Sequence, residues 1–209
     1  MNETTHDRTA PSSVAGDAPG VAANARITGT MGATLFVLFA LEGLTIVAHV
    51  GGHLSTHVFI GMMLVPPVLV KTTSTGYRIV QYYRGDPAYV RKGPPPLLLR
   101  LLGPFVIATT FLVVGTGIAL LVAGRQTHLL GVAHKASFVL WFGAMAIHVL
   151  GHLRETPSLA GADYRRSKIV VPGAGTRRLL LVGVLVTGAL LGAWSLSWIG
   201  TAWSHGPKG

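Results

Sequence analysis

Hydrophobic positions along this chain fall into five long runs separated by polar connectors. The first, about Ile27 to Val50, holds one charge, Glu42, and stops at Gly51-Gly52, a pair that favours a turn over continued helix. The second starts near Leu54, is apolar as far as Val70, and continues as a more polar extension through Tyr83. Pro66 and Pro67 lie inside it, and two ring nitrogens that cannot donate predict a kink. After the turn-rich connector RGDPAYVRKGPPP come a third run, about Leu97 to Ala123, and a fourth, about Leu129 to Leu153. A polar segment then precedes the fifth, about Leu179 to Ile199. Runs of about 20 residues with almost no charge have the length of membrane-spanning helices. The pattern predicts an all-α integral membrane protein of five spans, with spans one to four forming a bundle and span five packed outside it. Residues 1–26, small and polar, read as a disordered tail with no cleaved signal peptide, residues 27–199 as the transmembrane domain, and 200–209 as a short tail.

Composition supports this reading. Half of the 209 residues are hydrophobic and 11% are charged, well below the roughly 25% of a soluble domain. The net charge of +10 therefore reports topology and contact with anionic headgroups, not a nucleic-acid partner. With alternating spans, 14 of the 17 Lys and Arg residues fall on one side, which the positive-inside rule makes cytoplasmic. The N-terminus is expected inside and the C-terminus outside a plasma (inner) membrane. The absence of cysteine excludes disulfides, thiolate metal sites and covalently attached haem.

What remains chemically is nine histidines. His49, His53 and His57 cluster around the first outer turn, and His134 lies early in span four, which also enters from the outer side. His57 and His134 are thus expected at similar depth on co-directional helices. His134 and His148 are 14 residues apart, about 21 Å of rise and only about 40° of rotation. The same step from His57 reaches Lys71. Spans two and four therefore present two candidate pairs, His57 with His134 outside and Lys71 with His148 inside.

Imidazoles facing each other across a bundle suit the axial positions of haem iron, and without cysteine such a group is haem b. His49 is the substitute outer ligand. Gly61, Gly115, Gly117, Gly131 and Gly143 offer places where a flat ring can press on backbone. Lys135 and Arg125 outside, with Arg78, Arg100 and Arg154 inside, are candidate partners for its propionates. On these residues the chain resembles the membrane cytochromes b: the dihaem core of quinol-oxidising cytochrome b and the related b561-type and formate-dehydrogenase-gamma-type subunits. The resemblance covers about residues 28–154 and rests on the spacings His57 to Lys71 and His134 to His148. It implies four histidine ligands and one-electron transfer across the bilayer, and Lys71 departs from that pattern.

The same residues carry other readings. His49, His53 and His57 at i, i+4, i+8 also suit a surface zinc or copper site, although Gly51-Gly52 interrupts the helix. A lysine near a span's end commonly snorkels to the headgroups. Glu42, mid-membrane, is either a proton acceptor for quinol chemistry, the hydrogen-bond partner of a ligand histidine, or a neutral helix–helix contact. Tyr77, Tyr82 and Tyr83 read as interfacial anchors. The competing functions are a haem-free transporter whose histidines line a proton or metal path, and a structural subunit. Donor and acceptor stand open among a quinol, a redox partner protein, a soluble reductant and ferric iron, besides the surrounding lipid.

Overall fold

The computed structural model describes residues 18–93, 97–124, 128–152 and 172–203. These are helical almost throughout, with no strand among the described residues. The elements are α1 (Pro19–Val47), a 3-10 turn (Val50–Gly52), α2 (Leu54–Met63), α3 (Val65–Tyr83), α4 (Pro87–Lys92), α5 (Leu97–Ala123), α6 (His128–His152) and α7 (Ala174–Trp203). Five helices are long and apolar enough to cross a membrane: α1, α2 with α3 as one span, α5, α6 and α7. Large side chains such as Val47, Leu129 and Leu179 are almost wholly exposed on them. That outward face has the character of a surface solvated by hydrocarbon, and the chain is an integral membrane protein.

Two boundaries differ from the hydrophobic pattern. α1 starts at Pro19, so residues 19–26, expected in the tail, are helical. Proline is suited to the first helical turn, where its missing N–H has no partner to lose. Val21 and Arg26 are buried on this segment, and Asn24 Nδ2 donates to Ser74 O of α3 at 3.1 Å. Tertiary contact thus extends a helix that local polarity does not announce. At its other end α1 stops at Val47, and His49 takes a left-handed φ of 71° before the 3-10 turn.

The second span bends where the two prolines predict. Leu64 joins α2 to α3 with helical dihedrals, and Val68 N still donates to Leu64 O at 3.1 Å. Pro66 and Pro67, however, leave the carbonyls of Met62 and Met63 without their i+4 donors. α7 packs on this weakened stretch through one stripe of small residues. A Cβ added at Gly188 would lie 2.8 Å from Met63 O, and one at Gly192 would lie 2.8 Å from Phe59 O and from its ring. Val184 and Ser195 continue the stripe, both buried. Small residues let backbones approach closely where lipid supplies no hydrophobic drive for association.

α1 runs along α2 and α3, with Leu35, Leu38, Leu64 and Val68 forming their shared core, while α5 and α6 form a hairpin. Between these two groups lies a cavity of about 2480 Å³, more than twice the volume of the larger ordinary ligand pockets. No described α7 residue lines it, so the fifth span stands outside the bundle as expected. Near its middle, Phe39 of α1 meets Trp141 of α6 with ring centroids 4.6 Å apart, and Trp141 Nε1 donates to Thr110 Oγ1 at 2.9 Å.

Candidate functional site

His57 closes the first turn of α2 and His134 lies in the second turn of α6. The two rings face each other across the cavity with centroids 6.3 Å apart and planes at 77°. Two imidazoles that each place a nitrogen about 2 Å from a shared metal ion have centroids about 6 Å apart. The pair expected from depth alone is therefore brought together.

Each ring is held from behind through Nδ1. His57 Nδ1 lies 2.8 Å from Glu42 Oε1 and 3.0 Å from Thr45 Oγ1. The Thr45 hydroxyl spends its one hydrogen on Glu42 O at 2.7 Å, so its oxygen accepts. His134 Nδ1 lies 3.1 Å from Val113 O and 3.2 Å from Thr116 Oγ1, whose own hydrogen goes to Leu112 O at 2.8 Å. A carbonyl can only accept, so the His134 proton resides on Nδ1 and the lone pair on Nε2. The same logic with Thr45 and the Glu42 carboxylate gives His57 the same tautomer. An imidazole that donates through Nδ1 and turns Nε2 forward is the arrangement of metal-ligating histidines.

Space around the pair is kept by two glycines. A Cβ at Gly117 would lie 3.1 Å from His134 Cε1, and one at Gly61 would lie 3.4 Å from Glu42 Oε1. Gly115, Gly131 and Gly143 would meet nothing within 4 Å, so of the five glycines singled out by sequence only these two have a close contact to preserve. Glu42 is largely buried, and its second oxygen, Oε2, has no hydrogen-bond partner among the described residues.

At the other end of the cavity the picture is looser. Lys71 and His148 both line it, from α3 and α6. Lys71 Nζ donates to Thr28 O of α1 at 3.3 Å, within a polar contact that also joins Thr28 Oγ1 to Ser74 Oγ at 2.8 Å. The lysine is thus turned to the bundle, not drawn out to headgroups. Arg78 lines the same end and donates to Gly93 O at 3.4 Å, while Arg100 donates to Tyr83 Oη at 2.6 Å. Tyr89 of α4 closes this end; burial first, then Tyr77 and Asp86, hold its phenol above the ordinary value, so it stays a donor. Lys135 is exposed at the rim of the His57 end.

His49 and His53 are exposed in the turn and take no part in the facing pair. No group of three or more His, Asp or Glu residues able to hold a metal ion occurs among the described residues, so His49, His53 and His57 do not converge. Arg125 and Arg154 lie outside the described residues. Thr45, Thr116 and the Val113 carbonyl were not indicated by sequence, since a threonine in a membrane helix carries no mark of the partner it will meet. No family model matches the chain, and neither any curated protein nor any solved structure does.

Proposed function

We propose that this protein is a b-type cytochrome that carries electrons across the membrane, holding haem b between α2 and α6. The observation that supports this best is the close pair His57 and His134, both anchored through Nδ1, which leaves Nε2 as the free ring nitrogen, and both lining a cavity far larger than a side-chain gap. Haem supplies reversible one-electron chemistry when bound, and a group at each end of the cavity gives contacts at both membrane faces.

The chain's own residues define the rest. His57 and His134 would hold the group at one end through their ring nitrogens, with Glu42 and Val113 O fixing their tautomers. Lys71 and His148 are the candidate ligands at the other, Lys71 first having to leave Thr28 O. Lys135 and Arg78, one at each end, are placed to meet acidic groups at a cofactor's edge. Phe39 and Trp141 fill the middle, excluding water between the ends. The Arg-rich end of α3 and α4 is assigned to the cytoplasm by the positive-inside rule. Electrons would come from a quinol or a redox partner protein.

The reading is tested by the absorption spectrum of the detergent-purified protein, expressed with ample haem supply, before and after reduction. A Soret peak and a reduced α-band that disappear in part in His134→Ala are expected. A colourless protein overturns the reading and leaves a transporter or structural subunit.

A further inference from the structure

One face of α3 carries a polar stripe that points into the bundle instead of away from it. Lys71, Thr75, Arg78 and Tyr82, at steps of four, three and four residues, all line the cavity. Eleven residues of helix cover about 16 Å, so the stripe runs from the cavity's interior to its mouth. Arg100 of α5 and Lys92 of α4 line the same end. Glu42, bound to His57 at the opposite end, is the only acidic residue among those described in the cavity wall.

The stripe's cations are satisfied by neutral oxygens alone. Lys71 donates to Thr28 O, Arg78 to Gly93 O at a long 3.4 Å, and Arg100 to Tyr83 Oη. None of the three makes an ion pair with a described carboxylate. Lys71 and Arg78 are half-buried among apolar helix faces and Arg100 is exposed at the mouth beside them; holding like charges together there is costly unless an anion compensates them. A carboxylate or phosphate arriving there would gain charge-assisted hydrogen bonds from several donors at once. Beyond the stripe the wall is apolar, formed by residues such as Val68 of α3 and Leu101, Val106 and Ile107 of α5. An inorganic anion would leave that wall uncovered, whereas an amphiphile covers it.

We propose that the Arg78 end of the cavity binds the anionic head of an amphiphile, a phosphate or carboxylate, with its apolar body lying along α3 and α5. The site shares Arg78 and Lys71 with the electron-transfer reading, and its lipid-headgroup form does not depend on that reading. Two sources carry this chemistry, an anionic lipid headgroup and the acidic edge of a bound cofactor.

The full-length chain in vesicles of phosphatidylcholine doped with phosphatidylglycerol is extracted, and its retained lipid and cofactor are quantified by mass spectrometry. Retention of phosphatidylglycerol over phosphatidylcholine is expected, falling about fivefold for each of Arg78→Gln, Arg100→Gln and Lys71→Met. Arg84→Gln and Arg91→Gln, at exposed positions outside the cavity wall, serve as charge controls and retain it. If the source is the cofactor's edge, lipid retention is unselective and cofactor content falls in Arg78→Gln and Arg100→Gln but not in the controls. The proposal is overturned if neither quantity separates the two sets of variants while all elute as wild type on gel filtration. A colourless protein that still selects phosphatidylglycerol sinks the cytochrome reading and leaves this one standing.

Discussion

Glu42 reaches His57 across the first turn of the bundle: Oε1 lies 2.8 Å from Nδ1, while Oε2 is buried with no hydrogen-bond partner among the described residues. Leaving a buried carboxyl oxygen unsatisfied costs about 1–3 kcal/mol, so Oε2 is open to a further donor. Glu42→Gln keeps an acceptor for Nδ1–H but removes any negative charge. Cofactor content is expected to survive and the midpoint potential of the His57-end group to rise, read by redox titration. Glu42→Ala frees the ring, and cofactor affinity is expected to fall about 10- to 100-fold. Equal behaviour of the two variants would mean that Glu42 does not position the ligand.

The turn offers a competing imidazole, and a pair of variants decides between them. His134→Ala and His57→Ala are expected to remove one bound haem each from the same site, so the double variant loses no more than either single one. His49→Ala, at an exposed position with left-handed backbone, should leave haem per chain unchanged. Pyridine haemochrome stoichiometry reads all four proteins.

Gly117 and Gly115 stand two residues apart on α5 and should respond in opposite ways. A methyl group at Gly117 arrives 3.1 Å from His134 Cε1, so Gly117→Ala displaces the ring and is expected to broaden or shift the reduced α-band. At Gly115 nothing lies within 4 Å. Gly115→Ala should leave the spectrum unchanged and add about 0.5–1 kcal/mol of helix stability, seen as a higher melting temperature in detergent.

α7 gives a prediction free of any cofactor. Gly188→Ala and Gly192→Ala would push side-chain atoms to 2.8 Å from the carbonyls of Met63 and Phe59, and backbone cannot yield as a side chain tip can. Each is expected to cost about 1–3 kcal/mol, lowering the thermal midpoint. Gly183→Ala, on the same helix with nothing within 4 Å, is the control.

Much of this architecture was legible in the sequence because lipid imposes a one-dimensional constraint: a span must be long and uncharged wherever it lies. The same constraint fixes depth, and depth alone brought His57 opposite His134. Rotation and local pairing were less visible. Glu42 lies seven residues before His49, a spacing that would give both nearly one helical face, yet it serves His57, because the left-handed His49 and the Gly51-Gly52 turn carry α2 back beside it. The Nδ1 acceptors of His134 come from α5, and no spacing within α6 points to Val113 or Thr116. Lys71 was counted correctly along its helix, but its engagement with Thr28 depends on how closely α1 approaches α3. The start of α1 was missed because Asn24 and Thr28 are polar by type and interhelical by placement.

α6 carries His134, Trp141 and His148 on the cavity wall at intervals of seven. Each residue inserted or deleted between the first and last of them would swing everything beyond it by about 100° and carry one imidazole out to the lipid. Amino-acid replacements along residues 135–147 are therefore tolerable wherever volume and polarity allow, whereas a change of length is not. The span acts as a ruler, and its graduation matters more than most of the letters written on it.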